Sequence, residues 1–187
     1  MSEIYVNEPP TFGRIVIHTN RGDLVVELWS RECPKTCRVF IQACLDGLYN
    51  NILFHRVIPG FVIQTGAGAS TTPDLVFPTD ASPEIHSRLK YRYRGILGVA
   101  NTRSQSPNRE FFITLDKAES LNGRNTIFGR IVGDSLYNLN RLLPNDGGAV
   151  RYELDANDRP IVASGGDVNV LPQIVSVDVI EIGRAHV

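Results

Sequence analysis

The 187-residue chain has almost no net charge: 19 Lys and Arg stand against 20 Asp and Glu, leaving −1 at neutral pH. That balance excludes the basic excess by which a dedicated nucleic-acid binder engages phosphates, so no direct nucleic-acid partner is expected. Long hydrophobic runs are missing too, and no stretch approaches the ~18 apolar residues of a membrane span. The opening Met1-Ser2-Glu3-Ile4-Tyr5 lacks the basic-then-apolar order of a secretory signal. A soluble, intracellular, monomeric protein is expected. Cysteine is scarce and odd in number, with all three between Cys33 and Cys44, too clustered for a disulfide framework. The C-x-x-C spacing is absent and no histidine is near, which argues against a zinc site. No metal and no cofactor is expected. Cys37 and Cys44 lie seven apart and would share a helix face with Phe40 and Ile41 as small buried hydrophobes.

What is present is a succession of short β-branched runs. Residues 13–18 and 23–28 read as a hairpin joined at Thr19-Asn20-Arg21-Gly22. Pro34 suits the first turn of a helix to about Leu45, where its missing N–H is not needed, and Asp46-Gly47 ends it. Strands are expected at about 52–58, 61–65, 95–100, 111–115 and 126–132. A second helix, capped by Asp134 or Ser135, runs to Leu143 with Leu136, Leu139, Leu142 and Leu143 as its buried side. Residues 66–83 and 145–172 are polar and rich in turn formers, and 174–182 alternates with period two. Eight strands, two helices and no strand–helix–strand alternation predict a mainly β fold: a closed eight-stranded antiparallel β-barrel capped by two α-helices. One domain over 1–187 is expected, with 1–12 as an N-terminal extension and 145–172 as a loop insertion.

One stretch carries the functional signal: Phe54-His55-Arg56-Val57-Ile58-Pro59-Gly60-Phe61 followed by Gln64. It puts a fixed cation, an apolar ring and an amide on two short strands around a Pro-Gly turn. Taken alone, Arg56 could be a solvated surface charge and Phe61 a core residue. With Gly95-Ile96-Leu97 through Ala100-Asn101, Phe111-Phe112-Ile113-Thr114, and Leu121-Asn122-Gly123 before Ile127-Phe128-Gly129, the chain resembles the cyclophilin family of peptidyl-prolyl isomerases over nearly its whole length. Glu8-Pro9-Pro10-Thr11, Glu27-Leu28-Trp29-Ser30 and the Cys37–Leu45 segment are similar to the nuclear, spliceosome-associated subgroup.

The resemblance implies an isomerase for X-Pro bonds of proteins, acting in folding or assembly of spliceosomal proteins, nuclear or cytoplasmic, with proline-containing peptides as substrates. The alternative is a proline-binding or scaffold module of the spliceosome with little or no turnover. Arg56 is the implied catalytic donor. Phe61, Val62, Phe111 and Leu121 are the implied proline pocket, with Gln64, Ala100 and Asn101 holding the substrate chain. Phe112 and Phe128 are expected inside the barrel. His55, alternating away from Arg56, is expected to be structural.

Three residues around the pocket depart from the family pattern. Ser120 stands where many cyclophilins have tryptophan, which removes a large apolar wall and an N–H donor, so weak cyclosporin binding is implied. Asn125 replaces a histidine. Glu110 replaces a glutamine, and its carboxylate could draw Arg56 into an ion pair.

Overall fold

The computed structural model describes residues 8–67, 75–78, 82–100, 109–155, 161 and 171–182. Ten strands form one antiparallel sheet: β1 (Arg14–Thr19), β2 (Gly22–Leu28), β3 (Ile52–Leu53), β4 (Arg56–Ile58), β5 (Val62–Thr65), β6 (Ile96–Val99), β7 (Phe111–Thr114), β8 (Ile127–Ile131), β9 (Val150–Arg151) and β10 (Gln173–Glu181). Their order is β3-β10-β1-β2-β8-β6-β7-β5-β4-β9. The β1–β2 hairpin follows the sequence pattern. Ile15, Ile17, Leu24, Val26 and Leu28 are fully buried, while Arg14, His18, Asp23 and Glu27 take the other face.

The expected strand over 52–58 divides. Ile52 and Leu53 pair with β10, whereas Arg56–Ile58 pairs with β5 and β9. At the break, the Phe54 N–H turns to the carbonyl of Pro172. β3 and β4 therefore sit near opposite ends of the strand order, although only Phe54 and His55 separate them in the chain. The 145–172 segment is not wholly irregular, since it contains β9.

Helix α1 (Pro34–Leu45) starts with proline, as expected, and buries Thr36, Cys37, Phe40, Ile41, Ala43 and Cys44. Its orphan N–H groups find a distant partner: the Glu84 carboxylate accepts from Lys35 N–H at 3.1 Å and from Thr36 N–H at 2.6 Å. All three thiols are free and buried, and burial pushes their pKa values up, which leaves them protonated and inert.

The second expected α-helix is instead a 3-10 helix over Gly133–Leu142. Its apolar positions Leu136, Leu139 and Leu142 recur every third residue, the period at which 3-10 side chains line up. Neither Asp134 nor Ser135 caps it. The Ser135 hydroxyl instead accepts from Val25 N–H at 3.0 Å and donates to the Val132 carbonyl, tying this helix to β2.

The described part of the N-terminal extension is stitched down. Trp29 Nε1 donates to the Pro9 carbonyl at 2.8 Å, and Phe12 N–H to that of Leu28 at 2.7 Å. Glu8 accepts from Arg130 at 2.7 Å and from the Tyr93 hydroxyl at 2.6 Å. Arg130 also reaches Glu27. Burial opposes ionisation of Glu27, but hydrogen bonds from Arg14 and Thr11 and the Arg130 charge outweigh it and hold its pKa below the usual range.

On the outer face, His18 bridges two carboxylates, with Nδ1 at 2.9 Å from Asp23 and Nε2 at 2.8 Å from Asp178. Only the imidazolium donates at both nitrogens. The Asp178 and then the Asp23 hydrogen bonds raise the pKa of His18 above its ordinary 6.5. A raised folded-state pKa gives stability that is complete below 6.5 and fades as pH climbs through the folded value. Urea denaturation of wild type and His18→Gln should therefore show a gap favouring wild type at mildly acidic pH that narrows steadily as the buffer is made alkaline. A gap that widens with pH contradicts the bridge.

Candidate active site

The sheet register brings the motif residues together. Arg56 on β4 lies opposite Gln64 on β5, Gln64 opposite Phe112 on β7, and Phe112 opposite Gly98 on β6. Directly paired residues project from the same face, so these positions form a row across four strands. One residue away runs a second row, Val57, Ile63, Ile113 and Leu97, all fully buried on the inner face. The outer row is thus a consequence of the core beneath it.

This register reverses the expected roles of the adjacent phenylalanines. Phe111 is 0% exposed and packs edge-on against Phe40 and Tyr49 at centroid distances of 5.2 and 5.3 Å, with Phe128 at 6.1 Å. It belongs to the interior beneath α1, together with Phe128, and cannot wall an outer pocket. Phe112 shares the outer face with Gln64 and Val62, and its ring lies 5.7 Å from that of Tyr91 at 31°. The alternation of residue types held a clue. Phe111 keeps step with Ile113, an apolar pair suited to the core, whereas Phe112 keeps step with the polar Thr114.

Gly98 makes room for the two rings: a Cβ there would run into the Tyr91 hydroxyl and the Phe112 ring. Tyr91, which the sequence reading did not single out, also organises the following loop. Its N–H donates to Asn122 Oδ1 at 2.7 Å and its hydroxyl to the Asn125 carbonyl at 2.9 Å. Ala118 N–H returns to the Tyr91 carbonyl at 3.0 Å. Leu121, ending the short 3-10 turn Glu119–Leu121, packs half-buried against the core, while Ser120 beside it is exposed. Asn125 Nδ2 donates to the Val99 carbonyl at 3.0 Å, and buried Ala100 donates its N–H to the Glu110 carbonyl. Phe61 follows Gly60, whose φ of +74° permits the tight turn after Pro59, and is half-buried against the core. Asn101 lies outside the described residues.

Polar contacts settle how Glu110 relates to Arg56. Arg56 Nη1 donates to Gln64 Oε1 at 3.2 Å, and Gln64 Nε2 donates to Glu110 Oε1 at 3.1 Å. Among the described residues no ion pair joins Arg56 to Glu110. The carboxylate is met instead by His55 Nε2 at 3.3 Å. His55 is buried, and its Nδ1 has no hydrogen-bond partner among the described residues. His55 therefore belongs to the support of this site as well as to the structure. Its partner is far along the chain, so alternation within one strand gave no sign of it. A neutral amide separates the guanidinium from the carboxylate and orients both. No cluster of three or more His, Cys, Asp or Glu able to hold a metal occurs among the described residues.

Residues 14–163 match the profile of the cyclophilin type peptidyl-prolyl cis-trans isomerase/CLD family. The chain belongs to the cyclophilin family. It is 45% identical over 163 residues to the spliceosome-associated protein CWC27 homolog of Xenopus laevis, covering 86% of this chain and 33% of that protein. It is 44% identical over 183 residues to the peptidyl-prolyl cis-trans isomerase CYP57 of Arabidopsis thaliana, covering 96% and 34% respectively. The chain thus spans about a third of the length of these relatives. Among solved structures it is similar to a Cryptosporidium parvum cyclophilin type isomerase, with a TM-score of 0.65 and 32% identity over 90% of this chain and 97% of that one. Among the described residues of this cyclophilin domain, no helix is long and apolar enough to cross a membrane.

Gln64→Leu tests the amide's part. It removes both hydrogen bonds while keeping the volume, so kcat/KM on an X-Pro peptide should fall about tenfold or more, from the ~1.5 kcal/mol at the lower end for a hydrogen bond to a charged group. The melting temperature should change little. An unaltered kcat/KM would show that Arg56 needs no such support.

Proposed function

We propose that this cyclophilin domain catalyses cis–trans isomerisation of X-Pro peptide bonds, with Arg56 as the electrophilic donor. The observation that carries this reading is that Arg56 stands opposite Gln64, which in turn stands opposite Phe112, with the Arg56 charge not taken up by Glu110. Rotation about the prolyl bond meets a barrier of ~18–20 kcal/mol because resonance is lost. The nitrogen becomes a hydrogen-bond acceptor only in the twisted state, so a guanidinium aimed at it stabilises the transition state more than the ground state. Arginine stays charged throughout the physiological range, and no nucleophile is needed. Phe112, Val62, Phe61 and Leu121 hold the proline ring. Gln64, Ala100 and Asn101 carry the chain on either side, and Asn125 and Ser120 flank the pocket.

The fold reading belongs with this. β3 and β4 are one run of chain interrupted by two residues, and they stand near the two ends of the strand order. Joining the sheet through residues 52–58 gives the closed eight-stranded barrel, with β9 as an added edge. The spliceosome-associated name of the Xenopus relative supports spliceosomal proteins as partners and the nucleus as the place of work. A second reading, a proline-binding module with slow turnover, draws on the exposed serine at position 120, which leaves the pocket shallow.

Line-shape or exchange NMR on X-Pro peptides separates the two. Wild type should accelerate exchange, and Arg56→Ala should lower kcat/KM by roughly 100-fold to 1,000-fold, the loss typical of a transition-state donor, with an unchanged melting curve. If wild type binds the peptide but leaves its exchange rate untouched, the domain is a binding module.

The pocket wall is tested separately. Cyclosporin should bind weakly to wild type, and Ser120→Trp should tighten it about tenfold or more, since burying part of an indole contributes ~1.5–3 kcal/mol. Tight binding by wild type in calorimetry would contradict a pocket open at Ser120.

A further inference from the structure

The row that contains Arg56 and Gln64 extends one strand further than the motif. Arg151 on β9 pairs directly opposite Arg56 on β4. The two guanidinium side chains therefore leave the same face from adjacent strands, at positions whose Cα atoms lie about 4.5–5.5 Å apart in an antiparallel ladder. The flanking residues of β9 fix this orientation. Val150 packs half-buried on the core opposite Val57, and Tyr152 lines a cleft of about 430 Å³ with Leu142, Pro144 and Pro172. The backbone is held as well, because Tyr152 N–H donates to the His55 carbonyl at 2.8 Å. Arg151 itself is exposed and has no ion pair among the described residues.

Like charges directly opposite each other on a sheet oppose pairing, and among the described residues neither arginine forms an ion pair. Glu110 is occupied by His55 and Gln64 on the far side of the amide. An unrelieved cation pair at the rim of a peptide-binding face is a site for an anion brought by the peptide.

We infer that Arg151 determines substrate specificity, selecting X-Pro sequences with an acidic side chain beside the proline. The inference rests on the site proposed above as the place where the peptide lies, and it assigns the substrate class of that site. Arg56 serves the prolyl nitrogen. Arg151, on the side of Arg56 away from Phe112, takes the carboxylate.

The test uses peptides of the form Ala-Xaa-Pro-Phe and Ala-Pro-Xaa-Phe with Xaa as Glu, Ala or Lys. For each, kcat/KM is measured by exchange NMR and Kd by chemical-shift titration, with wild type, Arg151→Ala and Arg151→Glu. At low ionic strength wild type should favour Glu over Lys about fivefold in at least one of the two positions, the scale of an exposed ion pair. Arg151→Ala should reduce that ratio to about twofold, and Arg151→Glu should bring it to one or below. Raising salt to about 0.5 M should flatten the wild-type preference, because the Debye length then shrinks to a few ångströms. A reversal of preference by charge is something a merely structural arginine would not produce, and thermal melts of both variants check that the fold is intact. A Glu-to-Lys ratio that is the same in all three proteins overturns the inference. If no peptide is isomerised but the Kd ratios follow the pattern, the acidic preference stands and the catalytic reading falls. If turnover is normal and the ratios are flat, the reverse holds.

Discussion

Register across β4, β5, β7 and β6 is the constraint from which the rest of the site follows. Two rows of side chains run side by side over these strands, Val57–Ile63–Ile113–Leu97 inward and Arg56–Gln64–Phe112–Gly98 outward. Because side chains alternate strictly, sliding β4 or β5 by a single residue would turn Val57 or Ile63 outward and Arg56 or Gln64 inward, and sliding β6 or β7 would remove Gly98 from beneath the Phe112 ring. The inner row is fully buried, so the hydrophobic effect fixes the register and the site inherits it. The functional residues need not stabilise their own placement. Substitution at Arg56 or Gln64 can alter chemistry without loosening the fold, whereas a change at Ile63 or Ile113 would disturb both.

The polar side of the site is arranged by the same geometry. Gln64 stands between a cation and an anion and presents its oxygen to the first and its nitrogen to the second. The carboxylate at position 110 meets this amide and His55 and forms no ion pair with Arg56 among the described residues. Both belong to a buried or half-buried layer where an unpaired charge would be costly. The chain Arg56–Gln64–Glu110–His55 thus keeps the guanidinium positioned and leaves its charge available to a ligand.

Much of this could be read from residue order, and the failures have common causes. β-Branched runs located β1 and β2, period-two alternation located β10, and Pro34 with Asp46-Gly47 bounded α1, because those signals are local. The motif from Phe54 to Gln64 placed Arg56 and Gln64 together, since a two-strand hairpin brings them into register within nine residues. For Phe111 and Phe112, alternation says that neighbours part company, and Ile113 and Thr114 give only a faint local clue to which one turns inward. That choice was made by Ile63 and Phe40, which are remote in sequence. The Glu84 cap on α1, the His55–Glu110 contact and the Tyr91 tether to the 118–126 loop have the same character, each joining segments tens of residues apart. The 3-10 form of residues 133–142 was legible in the three-residue leucine spacing, yet a spacing of three also fits one face of an α-helix.

β9 shows how little regular sequence a paired strand needs. Two residues inside a polar, glycine-rich segment carry no periodicity of their own, and β4 supplies the register they lack. As the last strand in the sheet order, β9 also covers an edge, and a charged residue there discourages pairing with another chain. Edge protection accounts for a charge at position 151 of either sign. It does not account for a positive charge placed opposite Arg56, where a glutamate would give the same protection and attract instead of repel. A glutamate would, however, draw Arg56 into an ion pair. Under the proposed specificity the sign at position 151 is set by the site and not by the edge: a second positive charge leaves Arg56 unpaired across the β4–β9 ladder and adds attraction for an acidic peptide.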